Sequence, residues 1–137
     1  MKRKSIPVLL RKIVAERATY RCEYCQVFEH DFFVSFEIDH ILSIKHGGDN
    51  MPDNLAYACP RCNQNKSSDL GTYLPGSNRL TRLFNPRKDT WEKHFELVDG
   101  EVVPRTNIGA STVKVLCLND PDRIILRRLF AQFGSYP

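Results

Sequence analysis

A chain of 137 residues has room for one ordinary domain and a small appendage. Its hydrophobic share of 42% suits a globular protein, and no stretch approaches the roughly 20 apolar residues of a spanning helix, which excludes a helical membrane protein. The net charge of +4 is mild, but its distribution is uneven. Lys2, Arg3, Lys4, Arg11, Lys12, Arg17 and Arg21 open the chain against Glu16 alone, and Arg123, Arg127 and Arg128 form a second cluster. Such clusters suit a phosphate backbone, although a solvated helix face is their commoner meaning.

In chain order, Ser5 and Pro7 read as a helix start. Val8, Leu9, Ile13 and Val14 then supply an apolar face through about Ala18. The run "IPVLL" ends at Arg11 and Lys12 without a small-residue cleavage site, so it does not read as a signal peptide, and the expected location is the cytoplasm. The aromatic and β-branched segment from Phe32 to Asp39 predicts a strand. "KHGGDNMPDN" is a loop, "LAYA" from Leu55 to Ala58 a short strand, and Pro60 opens a helix reaching about Leu70. "GTYLPGSNR" reads as a linker and "DTWEKHF" as a helical turn. "ELVDGEVV" predicts a hairpin about Asp99 and Gly100. "ASTVKVLCLN" suits helix or strand, and "DPDRIILRRLFAQF" is a helix with Asp120 or Asp122 near its start and Gly134 beyond its end.

Four of the five cysteines form two Cys-x-x-Cys pairs, "CEYC" and "CPRC". Without an export signal, this pattern argues for metal rather than disulfides. Cys22, Cys25, Cys59 and Cys62 offer four thiolates to one tetrahedral Zn²⁺. Such a closed site is structural, with no open position for chemistry, and it would clamp two distant segments. A thioredoxin-type redox pair lacks its βαβ surroundings here. Cys117 has no partner and is expected to be a buried core residue.

Between the cysteine pairs lie Asp39, His40, Gly47, Gly48 and Asn54, and directly after them come Asn63 and Lys66. "CEYC", "EIDHI", "GGDNMPDNL" and "CPRCNQNK", in this order, closely resemble the HNH nucleases of the ββα-metal (His-Me finger) class. The resemblance spans about Arg17 to Ser68. It implies an α+β fold: a ββα-metal HNH core stapled by a Cys₄ zinc site, with an N-terminal helix and a C-terminal helix-and-hairpin extension. The expected division is 1–71 for the helix and nuclease core and 72–137 for the extension. The resemblance implies that His40 is the general base and that Asp39 and Asn63 hold a catalytic Mg²⁺ or Mn²⁺. It also implies that Asn54 fixes the loop carrying His40. The final histidine of the HNH pattern is Asn63 here, which remains an oxygen donor. Lys66, one helical turn from Asn63, is expected on the same face, within reach of a phosphate.

These roles fit the residue types. Histidine takes a proton from water near neutral pH, and hard oxygen ligands suit Mg²⁺ or Mn²⁺. Neighbouring strand residues point to opposite faces, so Asp39 and His40 serve one phosphate only if the chain leaves strand geometry there. His30 and His46 are rivals for a metal or proton role but read as surface, and His94 as part of an aromatic cluster. The Gly47–Gly48 pair reads as a tight turn rather than a phosphate cradle. The activity the resemblance implies is metal-dependent hydrolysis of phosphodiester bonds in double-stranded DNA, leaving 5′-phosphate and 3′-hydroxyl ends. The rivals are a zinc-stabilised nucleic-acid-binding module without turnover and an RNA-directed nuclease.

Overall fold

The computed structural model describes residues 5–136, so Lys2, Arg3 and Lys4 lie outside the described residues. Helix α1 (Val8–Arg17) leads to the first cysteine pair. Strands β1 (Glu37–His40) and β2 (Leu55–Ala58) follow, then helix α2 (Pro60–Lys66). The remainder comprises β3 (Gly71–Thr72), β4 (Thr81–Arg82), α3 (Trp91–His94), β5 (Phe95–Val98), β6 (Glu101–Pro104), α4 (Asn107–Val115) and α5 (Pro121–Gln132). Among the described residues, three two-stranded antiparallel ladders pair β1 with β2, β3 with β4 and β5 with β6.

The β1–β2 ladder is the platform of the site. Its register sets Ile38 opposite Tyr57, Asp39 opposite Ala56 and His40 opposite Leu55. Every residue of β2 is buried, because α1 packs on β2 while α2 packs on β1. Helix α2 begins at Pro60, whose missing N–H is no loss in the first turn. Cys59 caps it, its Sγ accepting from the Cys62 amide at 3.5 Å. It ends where Ser67 takes a φ of 48°.

Several elements differ from their sequence reading. Helix α1 starts after Pro7, with no side-chain cap, and buries only Val14 and Ala15. Val8, Leu9 and Ile13 are exposed, so the expected apolar face is mostly solvent-facing. The strand predicted from Phe32 shrinks to four residues. A 3₁₀ turn occupies Glu29–Asp31, and the Glu29 carboxylate takes the Phe36 amide at 2.7 Å before a ladder can form. Helix α2 stops at Lys66 rather than Leu70, and the predicted linker contributes β3 and the turn of the small β3–β4 hairpin. The Asp99–Gly100 hairpin forms with both turn residues at positive φ, 49° and 83°. "ASTVKVLCLN" resolves largely as helix α4, capped by Thr106 Oγ1 accepting from the Gly109 amide at 3.0 Å. Cys117 is half-buried rather than a core residue.

The second basic cluster is also corrected. Arg123 and Arg127 are buried, and only Arg128 is exposed. Arg127 donates to the carbonyls of Gly100 at 2.7 Å and Leu118 at 2.6 Å. These arginines join α5 to the interior instead of offering charge to a partner.

Candidate active site

The two cysteine pairs converge as predicted from their spacing. The four sulfurs lie within 4.8 Å of one another and all four residues are buried. Ligands 2.3 Å from a tetrahedral Zn²⁺ stand about 3.8 Å apart, and the Cys25 and Cys59 sulfurs are 3.7 Å apart. The Cys25 amide donates to Cys22 Sγ and the Cys62 amide to Cys59 Sγ, each at 3.5 Å. Both pairs therefore form tight knuckles with sulfur facing inward. The sulfur neighbours, Cys22 first, hold the Cys25 thiol well below its ordinary range. The donor set and its dimensions fit zinc. Sequence reasoning missed one neighbour of this site. The buried Arg123 donates to Cys62 Sγ at 3.0 Å, placing a positive charge beside a cluster that carries net negative charge when zinc is bound.

A candidate reaction site forms where β1 ends. Asp39, His40 and Asn63 line a single cleft of about 490 Å³, with Ser43, Lys45 and Ser67 in its walls. Asp39 and His40 remain in the β1–β2 ladder, yet both line this cleft because it opens at the strand's last two residues. The chain turns away immediately, and the Ile41 amide donates to the Asn54 carbonyl at 2.9 Å.

Asp39 is 3% exposed and both of its oxygens are held. The Tyr24 hydroxyl donates to Oδ2 at 2.6 Å, and Lys66 Nζ donates to Oδ1 at 3.2 Å. Burial raises the Asp39 carboxyl above its ordinary range against the opposing pull of Lys66. A carboxylate has about four lone-pair positions, and two are used here, so a hard cation could still find a ligand.

Lys66 does not sit where the helical spacing suggested. It is 2% exposed and points into the fold, donating to the carbonyls of His40 at 2.9 Å and Ile41 at 3.1 Å as well as to Asp39. An amine enclosed by these three acceptors holds the end of β1. It is not presented to a phosphate.

His40 Nε2 lies 2.7 Å from Asn50 Oδ1; with Nε2 as the donor to that amide oxygen, the basic lone pair of the neutral ring falls on Nδ1. Asn50 went unnoticed in the sequence, where it is one polar residue of a turn-rich loop. Asn54 closes that loop. Its amide nitrogen donates to the carbonyls of Leu42 at 2.9 Å and Asp49 at 2.8 Å, and its Oδ1 accepts from the Leu42 amide at 2.8 Å. Gly48 is required by this closure, because a Cβ there would fall 1.7 Å from the Leu42 carbonyl oxygen. Asn63 Nδ2 donates to the Glu37 carboxylate. Glu37 was also missed, although its i, i+2 relation to Asp39 puts both on one strand face. The Ser43 hydroxyl is buried with no hydrogen-bond partner among the described residues. His30 and His46 are exposed, and His94 bonds Thr106 Oγ1 at 2.6 Å beside Phe84.

The HNH endonuclease family model matches residues 22–69, from the first knuckle cysteine to just past α2. This agrees with the resemblance carried by the four motifs. The Septu protein PtuB of Bacillus thuringiensis is 26% identical over 126 residues, which cover 88% of this chain and 45% of that protein. The chain thus spans less than half the length of this curated relative. No solved structure matches it. Among the described residues, no helix is long and apolar enough to cross a membrane.

Proposed function

We propose that this chain, whose residues 22–69 match the HNH endonuclease family, is a metal-dependent endonuclease that hydrolyses phosphodiester bonds in DNA. The observation that carries the reading is the cleft in which β1 and α2 bring Asp39, His40 and Asn63 together. His40 would take a proton from the attacking water at Nδ1, while Asn50 keeps the other ring nitrogen protonated. The water oxygen bonds to phosphorus and the bond to the 3′ oxygen breaks, leaving a 5′-phosphate and, after protonation, a 3′-hydroxyl. Asp39 and Asn63 would hold Mg²⁺ or Mn²⁺, which supplies charge neutralisation at phosphorus and at the departing oxygen. Asn54 would keep the loop around His40 closed. Lys45 in the cleft wall and the exposed Arg11 and Lys12 of α1 suit backbone phosphates without reading sequence. The four-Cys zinc site would stay structural.

Supercoiled plasmid incubated with Mg²⁺ or Mn²⁺ tests the proposal. Wild type is expected to nick it, and His40→Ala to lose on the order of 100-fold or more in rate. A wild type that binds DNA but never cuts it with any divalent metal would overturn the reading. RNA assayed in parallel decides the polymer, and faster cleavage of RNA would overturn the DNA assignment.

A further inference from the structure

We infer that Tyr24 is a positioning residue for Asp39, and that through it the zinc knuckle sets the geometry of the reaction site. The inference rests on the proposal that Asp39 is a metal ligand. Tyr24 lies inside the first Cys-x-x-Cys pair, so its backbone is part of the loop that turns two sulfurs toward zinc. The residue is 0% exposed and its hydroxyl reaches Asp39 Oδ2 at 2.6 Å. Its ring meets Phe84 edge-on at 6.5 Å, and its carbonyl accepts from Trp91 Nε1 at 2.9 Å. The next residue, Cys25, is held at its carbonyl by the Tyr136 hydroxyl at 2.6 Å. Ring, backbone and flanking residue are thus all fixed, and the hydroxyl is delivered to Asp39 by the knuckle.

Lys66 holds the other Asp39 oxygen, so the carboxylate cannot rotate without breaking one of two buried bonds. Water does not readily replace the phenol at a carboxylate that is 3% exposed. An outer partner of this kind orients a metal ligand, and its removal weakens the metal on the order of 10- to 100-fold. The structural zinc and the proposed catalytic metal would therefore be linked through the knuckle backbone between Cys22 and Cys25 and the side chains of Tyr24 and Asp39.

The test titrates zinc-loaded protein with Mn²⁺, following free Mn²⁺ by electron paramagnetic resonance, in wild type, Tyr24→Phe and Asp39→Asn. Zinc content is measured on each sample. Tyr24→Phe is expected to retain its zinc while its Mn²⁺ dissociation constant rises by about tenfold or more. Unchanged Mn²⁺ affinity with zinc retained would show a purely structural tyrosine and overturn the inference. Asp39→Asn is expected to lose this Mn²⁺ site. If it binds Mn²⁺ like wild type, the metal role of Asp39 fails, a different result from failure of Tyr24 alone. Should Tyr24→Phe not hold zinc, 3-fluorotyrosine incorporated at position 24 keeps the ring and makes the hydroxyl a stronger donor. A shifted Mn²⁺ affinity is then expected, and an unchanged one overturns the proposal.

Discussion

Lys66 shows how far residue type and spacing reach. A lysine one turn beyond a proposed ligand reads as a phosphate contact, yet here its ammonium is enclosed with Asp39 and two carbonyls. Breaking a buried pair by removing one partner costs about 3 to 5 kcal/mol, because the other charge stays buried alone. Lys66→Met is therefore expected to lower stability by that amount in urea unfolding, whether or not DNA is present. A variant as stable as wild type, defective only in binding DNA, would return Lys66 to the phosphate role. The same scale explains Asn50. Its bond to His40 depends on how the loop folds back, and a sequence of turn residues does not single it out. Asn50→Leu is expected to slow cleavage on the order of 100-fold by misplacing the imidazole, with zinc content unchanged. Cleavage at the wild-type rate would remove Asn50 from the site.

At the scale of elements, legibility followed how local each cause is. Strand β2 and the Asp99–Gly100 hairpin were readable because burial pattern and turn chemistry are written in adjacent residues. The strand predicted from Phe32 was cut short by a distant carboxylate, and the apolar residues of α1 did not show which of them would find a neighbour. Helix α5 is the clearest case. Its arginines read as a basic cluster, a solvated face or a phosphate contact, but Arg123 turns to the buried cysteine sulfurs. Arg123→Met is expected to release zinc to a chelator faster than wild type while Arg128→Met does not. Equal release rates in all three proteins would separate α5 from the metal. The Arg82–Asp89 pair, with bonds of 2.7 and 3.0 Å, ties β4 to the turn before α3. Its guanidinium holds the Asp89 carboxyl below the ordinary 3.8. A depressed folded pKa contributes stability above the unfolded value and loses it as pH falls through the folded one. Asp89→Asn should thus melt below wild type at about pH 6 and approach it near pH 2. A gap that stays constant over that range would exclude the ion pair as its cause.

Across the whole molecule, the knuckles are the meeting point of segments far apart in sequence. Trp91 bonds the Tyr24 carbonyl, Arg87 pairs with Glu23, and Asn65 Nδ2 donates to the Leu116 carbonyl at 2.8 Å. Trp91 is the one tryptophan of the chain, and it lies outside the cysteine motifs. Removing zinc with a strong chelator is expected to shift its fluorescence to the red in the same transition as metal release. An emission spectrum unchanged after complete zinc loss would show that residues 72–137 stand independently of the knuckles.

By itself the sequence determined the chemistry available: four thiolates in two close pairs, an Asp–His at a strand end, and two asparagines at set distances. These were legible because each ligand type and each short spacing carries its own physical restriction. Only the tertiary structure decided which groups face one another. It put Tyr24 and Lys66 on Asp39, Asn50 on His40 and Arg123 on the sulfurs. The reason is physical: a hydrogen bond between segments tens of residues apart depends on how the intervening chain closes, and local residue pattern does not carry that closure.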